Sequence, residues 1–233
     1  MAKKTKSLQQ VARKLVVITD PKSFVSEQFR TARTNINFSK PDGELTTLLF
    51  TSSVQAEGKS TSSANLACLF AQEGKKVILI DADMRKPTVH YTFHLTNTIG
   101  LSNILTKKTP VLEALKETDI ENLQIITSGP IPPNPAELLS AKSMDDMIEE
   151  LRKHFDLIIF DAPPVLSVTD AQILANKSEG TVLVISAGAT DKKSVLKAKE
   201  LLVASKAKII GTVLNNFNLE KDHYYYQYYG SEE

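Results

Sequence analysis

The stretch Leu48–Thr61 reads LLFTSSVQAEGKST, and the fold turns on how it is interpreted. Leu48, Leu49 and Phe50 form a short apolar run of the kind that makes a buried strand. Polar and flexible residues follow, then Gly58-Lys59-Ser60-Thr61, then a segment with helical spacing. Strand, loop, Gly-Lys-Ser and helix is the layout of a P-loop. Backbone N–H groups in such a loop and at the helix start converge on one hollow and favour an anion there. Gly58 removes a side chain where a phosphate approaches the backbone. Lys59 adds a charge that reaches the β- and γ-phosphates, and the Ser60 hydroxyl is placed to ligate Mg²⁺. Ser53 stands where the motif usually has its first glycine. The candidate nucleotide cradle is therefore Ser53, Gln55, Ala56, Glu57, Gly58, Lys59, Ser60 and Thr61. Asn215, after the last strand, is the candidate for adenine by similarity to P-loop folds that use that position, with a simple turn residue as the other reading.

Outward from this loop, 233 residues with 42% hydrophobic content are enough to bury a sizeable core. A net charge of +1 gives no global case for nucleic acid or an anionic membrane. The single cysteine, Cys68, excludes an internal disulfide framework and fits a reducing compartment. Its place on an apolar helix face reads as a small buried residue. No apolar run approaches the roughly 20 residues of a membrane helix. The basic start (Lys3, Lys4, Lys6, Arg13, Lys14) is followed only by Leu15–Ile18, too short for a secretory signal. The expectation is a cytoplasmic protein, peripheral to the membrane through a partner or weakly through the basic arm.

The α/β signals run without a linker, which predicts one domain over 1–233, with an N-terminal arm and helix (1–40) and a C-terminal tail (219–233). Residues 1 to about 20 read as a partly ordered arm. A helix from Ser23 places Phe29, Ala32 and Ile36 on one face and Glu27, Arg30 and Arg33 on another. From spacing alone that charged stripe is a solvated, salt-bridged face. After the P-loop, the patterns predict a helix stopped by Gly74 and a strand over 76–80. They then predict a short helix over 101–105, a strand over 123–126 and a rigid proline-rich surface loop over 129–135. Ser143 with Asp146 suggests a capping box opening a helix through Met144, Met147, Ile148 and Leu151. Strands over 157–160, 181–185 and 208–214 alternate with helices over 171–177 and from Asp191 onward. Near-continuous apolar strands alternating with helices predict a mostly parallel sheet covered on both faces.

Three strands run into chemically loaded loops: SSVQAEGKST, DADMR and DAPP. In a parallel sheet those ends lie along one edge, where open α/β folds bind ligands. Asp81 and Asp83, two apart, project from the same side of an extended segment and can serve Mg²⁺ or a hydroxyl losing its proton. Asp161, directly after LIIF, has the form of a Walker B aspartate that holds Mg²⁺ or a metal-bound water. At the other end, five of the six tyrosines (Tyr224, Tyr225, Tyr226, Tyr228 and Tyr229) crowd the last ten residues. Extended from Asn218, that tail reaches on the order of 36 Å at ~3.3 Å per residue, enough for a neighbouring subunit's site. A cluster of phenols on such a leash suits a phosphate acceptor.

Taken together, these motifs resemble the bacterial tyrosine kinases (BY-kinases) of capsule and exopolysaccharide synthesis, in the Gram-positive form whose cytosolic kinase is separate from its transmembrane activator. The resemblance covers nearly the whole chain: Gly58-Lys59-Ser60, ILIDADMR, LIIFDAPP, PNPAELL (133–139) and the tyrosine cluster. It implies ATP and Mg²⁺, with Lys59 on the phosphates and Ser60, Asp81, Asp83 and Asp161 organising the metal directly or through water. It implies Asp81 as the base for the tyrosine proton, and Glu27, Arg30 and Arg33 as a ring-forming motif, which reverses the bland reading of that stripe. An octameric ring, the activator and a cognate tyrosine phosphatase are the implied partners. The alternative is a switch ATPase of the partition or septum-site type. Those carry a second Walker A lysine where this chain has Val54, and they lack the tyrosine run. A non-catalytic adaptor with structural ATP is a third reading.

Overall fold

Seven strands share one sheet in the computed structural model, which describes residues 13–40 and 43–217. They are β1 (Thr47–Ser52), β2 (Val77–Asp81), β3 (Lys116–Glu117), β4 (Leu123–Ile126), β5 (Leu157–Asp161), β6 (Gly180–Ser186) and β7 (Ile209–Asn215). Their order across the sheet is β3-β4-β2-β5-β1-β6-β7, all parallel except the short edge strand β3. β1, β2 and β5 are buried at every position, as expected of strands covered on both faces. Alternate side chains feed two cores. Leu49, Ile78, Ile80, Ile158 and Phe160 pack on one face, and Leu48, Phe50, Val77, Leu79, Leu157 and Ile159 on the other.

The second face is covered by α1 (Val16–Thr19), α2 (Phe24–Phe38) and α3 (Lys59–Gln72). α3 is buried nearly all round because α1 and α2 lie on its outer side. That explains its small residues, Ser62, Ser63, Ala64, Ala67 and Cys68. Burial pushes the Cys68 thiol up to about 12, so it is an inert packing residue at neutral pH. Next in the chain come α4 (Val89–Thr92), α5 (Leu101–Leu105) and a 3-10 turn (Val111–Ala114). They are followed by α6 (Pro135–Ser140), α7 (Lys142–Arg152), α8 (Asp170–Lys177) and α9 (Lys192–Ala204). Elements α5 to α9 supply the other face.

The structure departs from three local expectations. Residues 13–20 are docked: Val17 is buried, and Asn65 of α3 accepts from its N–H (3.2 Å) and donates to the Lys14 carbonyl (3.0 Å). A buried amide in α3 needs partners, and the arm supplies them. The proline-rich segment is not all loop, because Pro135 starts α6 at a position where a missing N–H costs nothing. α7 begins one residue before Ser143, with Ala141 as its cap, so the expected capping box is absent. No helix among the described residues is long and apolar enough to cross a membrane. The tyrosines from Tyr224 to Tyr229 and the basic residues Lys3, Lys4 and Lys6 lie outside the described residues.

Candidate active site

At the C-terminal rim of the sheet, β1 lies between β5 and β6, and β5 lies beside β2. Asp81 and Asp161 are in direct register across β2 and β5, so fold geometry alone brings two carboxylates together. The loop after β5 is laid against the P-loop. Thr51 donates to the Pro163 carbonyl (2.7 Å), Val165 N–H to the Ser52 carbonyl (2.8 Å) and Leu166 N–H to the Ser53 carbonyl (3.2 Å).

A cavity of about 520 Å³ opens there, lined by Gln55, Ala56, Gly58, Lys59, Ser60, Thr61, Asp83 and Asn215 among others. Lys59 stands at its centre. Its ammonium lies 3.1 Å from Asp83 Oδ2 and 3.3 Å from Asp161 Oδ1, and donates to Ser60 Oγ at 3.2 Å. Burial works against that charge, but Asp161, Asp83 and Asp81 outweigh it and hold the lysine above its ordinary value.

The two aspartates of DADMR occupy different places. Asp83 opens to the cavity, and its Oδ1 accepts from Lys86 N–H (3.0 Å). Asp81 is fully buried beneath it. Its Oδ2 accepts from the Thr88 and Val89 N–H groups, both at 3.0 Å, and its Oδ1 from Asp83 N–H at 3.3 Å. Burial first, then the charge of Asp161, push Asp81 up to about 8. Burial likewise raises Asp161, with Lys59 opposing.

The side chains of three candidate nucleotide-site residues have surroundings that their spacing did not predict. Glu57 is buried and turned away from the cavity. Its carboxylate accepts from Val54 N–H (2.7 Å), Ser186 N–H (3.3 Å) and the Thr190 hydroxyl, tying the P-loop to the end of β6. Ser53 is also buried and its hydroxyl has no partner among the described residues. It is not in the left-handed region, so a serine at the usual glycine position is unstrained; the positive φ values fall at Ala56 (65°) and Gly58 (96°). Asn215 lines the cavity, but its side chain donates to the Glu57 carbonyl (3.0 Å), bracing the loop. Outside this site, Glu27 pairs with Arg30 (2.9 Å), and Arg30 also donates to the Pro21 carbonyl. Arg33 is turned inward, donating to the Leu69 carbonyl (3.1 Å) and lying 3.8 Å from Glu73.

Spacing did not single out four polar residues that shape the rim. Arg13, Arg85 and Lys86 line the cavity. The Arg85 guanidinium is gripped in bidentate fashion by Asp170, at 2.9 and 3.0 Å, and Asp170 is completely buried at the start of α8. Arg85 stood in plain view in DADMR; Asp170 gave no local signal, because its partner is 85 positions away.

The donor set suits Mg²⁺ held beside phosphates. Asp161 Oδ2 is buried with no hydrogen-bond partner among the described residues, and the Ser60 hydroxyl lies close to the same carboxyl group. Among the described residues no three His, Cys, Asp or Glu side chains stand close enough to cage a metal by themselves. The expected set of Asp81, Asp83 and Asp161 is thus not a protein-only cage. Mg²⁺ characteristically takes one or two carboxylates and completes its shell with water and phosphate oxygens.

Comparison with known proteins agrees with this chemistry. Residues 56–213 match the family described as AAA domain. The chain is 51% identical to the tyrosine-protein kinase YwqD of Bacillus subtilis, over 95% of this chain and 93% of that one. It is 46% identical to the putative tyrosine-protein kinase CapB of Staphylococcus aureus, over the full length of both. The crystal structure of the chimerical protein CapA2B2 superposes with a TM-score of 0.84 at 42% identity, covering 88% of this chain and 92% of that one. The chain therefore belongs to the family of bacterial tyrosine-protein kinases built on a P-loop AAA domain.

Proposed function

We propose that this kinase moves the γ-phosphoryl group of ATP·Mg²⁺ onto Tyr224, Tyr225, Tyr226, Tyr228 and Tyr229 of a neighbouring copy. The observation that carries the reading is Lys59, an ammonium clasped by Asp83 and Asp161 at the mouth of a phosphate-sized loop. Nucleotide entry offers this lysine phosphate oxygens in place of the carboxylates, which frees Asp161 and Asp83 for the metal side of the site. Ser60 and Asp161 would hold Mg²⁺, with Asp83 acting directly or through water. Bound there, the ion screens the charge gathering on the transferred group.

In the transfer, a tyrosine oxygen attacks the γ-phosphorus, the bond from that phosphorus to the bridging oxygen breaks, and ADP leaves. A phenol of pKa ~10 must lose its proton along the way. Asp81 is the proposed acceptor. A carboxyl pushed up to about 8 is a far stronger base, once ionised, than an exposed aspartate. To reach the phenol it must exchange the Thr88 and Val89 N–H bonds for the incoming hydroxyl. Asn215 and the loop backbone complete the nucleotide site.

Glu27 and Arg30 are the proposed ring contacts, with Arg33 fixing α2 against α3; an octamer is the expected size. By the family resemblance, a membrane-spanning activator is the other partner, and it would hold the kinase at the inner face of the membrane. A tyrosine phosphatase would reset the tail, and capsular or exopolysaccharide export would be the process controlled. The test is purified protein with ATP·Mg²⁺ and the activator's cytosolic tail, followed by mass spectrometry. Phosphotyrosine on 224–229 in the wild type and none in Lys59→Met is the expected result. Free phosphate without phosphotyrosine would instead indicate the switch-ATPase reading.

A further inference from the structure

The connection from β6 to β7 carries a charge asymmetry that the catalytic site does not use. Residues 191–208 hold six lysines against two acids, an excess of four positive charges in a chain whose total is +1. The six are Lys192, Lys193, Lys197, Lys199, Lys206 and Lys208, and all are exposed. None of their ammonium groups has an ion-pair or hydrogen-bond partner among the described residues. Some lysines elsewhere are engaged, Lys40 with Glu179, Lys75 with Glu44 and Lys177 with Asp145, while Lys22, Lys107, Lys108 and Lys142 are scattered singly or in pairs; what sets 191–208 apart is six such lysines on one connection. Of the two acids, Asp191 is occupied as the N-cap, accepting from Ser194 N–H (2.9 Å), and only Glu200 lies out on the helix.

The pattern along α9 is that of an interfacial helix. Ala198 and Leu202 are buried and seat the helix on the core, with Val195 and Leu201 partly buried beside them. On the outward side, Leu196 is 47% exposed and Val203 57%. These two apolar side chains are seven residues apart, so they form a ridge about 10 Å long on one face. At 100° per residue, Lys192 and Lys199 fall on one flank of the ridge and Lys193 and Lys197 on the other, with the exposed Glu200 between the ridge and Lys193, so the acid on this face is outnumbered four to one. Lysines on both flanks of an apolar ridge can lay their stems along it and place the ammonium groups among phosphate headgroups.

We propose that this outward face of α9, extended by Lys206 and Lys208, docks on an anionic lipid bilayer. Charge complementarity selects this occupant. The face offers mobile point charges around a shallow apolar crest, without the concave pocket or bidentate arginine fork that recognises a particular protein phosphate. The contact adds a second attachment to the membrane beside the activator, so the two act with the gain of bivalent binding. This surface is independent of the phosphotransfer reading and fails or stands separately from it.

The experiment is co-sedimentation of the full-length protein, without activator, with vesicles of phosphatidylglycerol and phosphatidylcholine against vesicles of phosphatidylcholine alone. Binding to the anionic vesicles only, weakening as salt rises, is expected. Lys192→Glu, Lys193→Glu, Lys197→Glu and Lys199→Glu together should lower the partition coefficient by at least ~100-fold, at roughly five-fold per lysine. Leu196→Ala with Val203→Ala should lower it a few-fold. Thermal unfolding checks the fold, and a four-fold Lys→Gln set replaces the glutamates if melting changes. Unchanged binding by the α9 variants overturns the proposal. So does loss of binding only when Lys3, Lys4 and Lys6 become glutamine, or a wild type that ignores anionic vesicles but binds the phosphorylated tail peptide.

Discussion

Asp81, the proposed base, is a residue whose protonation also bears on stability. It is fully buried, and its carboxyl is held up near 8, chiefly by burial and then by Asp161. In an unfolded chain it returns to about 3.8. Between those two values the folded protein binds more protons at this site than the unfolded one. Its contribution to stability is therefore present in full at low pH and is lost as pH rises toward 8. Asp81→Asn keeps an acceptor for the Thr88 and Val89 N–H groups and cannot ionise. The variant should melt progressively higher than wild type as pH goes from 5 to 8, while losing phosphotransfer. Parallel melting curves across that range would remove Asp81 from the pH response. Gly58 gives a second test. Its φ of 96° suits glycine, and a Cβ there would lie 1.9 Å from Asn215 Nδ2. Gly58→Ala should thus displace the Asn215 brace and weaken nucleotide binding at least ~10-fold, as titration calorimetry would measure; an unchanged affinity would show that the brace is dispensable.

Among the elements, the sheet was largely legible in the chain because central parallel strands are buried on both faces and so read as unbroken apolar runs. Each of the strands over 123–126, 157–160, 181–185 and 208–214 lies within a residue or two of where composition puts it. β3 escaped notice because two exposed or half-exposed residues, Lys116 and Glu117, carry no periodicity. The short helix α1 was obscured for a different reason. What holds it is tertiary, the burial of Val17 and the bonds to Asn65 and Ser26, and not the helix propensity of four residues. The same logic hid the contacts of the Glu57 carboxylate. In sequence it sits inside a phosphate loop, yet its carboxylate spans from that loop to β6 and satisfies two buried N–H groups. Glu57→Gln keeps the volume but leaves one of those donors poorly matched, at a cost of about 1–3 kcal/mol. Urea unfolding should show that loss, accompanied by a raised KM for ATP as the loop loosens. A lower stability with an unchanged KM would confine Glu57 to holding the fold.

For the whole molecule, the governing quantity is charge on a chain that starts near neutrality, at +1. Each phosphotyrosine adds about −1.5 to −2 at pH 7, so a fully modified tail gains on the order of −8 to −10. If a tail reaches into the next subunit's site, that charge accumulates beside Asp83 and Asp161, carboxylates already competing for one lysine. Within α2, Glu27 and Arg30 pair with each other at the surface, with Glu27 two-thirds exposed, and such pairs contribute little, about 0–1 kcal/mol each, so exchanging them for equivalent pairs across the proposed ring gains little. Weak contacts repeated around a ring give an assembly that modest repulsion can open. Phosphorylation should therefore lower the molar mass seen by light scattering from an oligomer toward a monomer. Raising salt should soften the effect by screening it within a Debye length of about 8 Å. Arg30→Glu should give the small species even without ATP, because it reverses the charge of a proposed ring contact and sets it against the partner's acid. Equal masses for phosphorylated and unphosphorylated protein would separate the chemistry of the tail from assembly altogether, leaving the activator as the site of control.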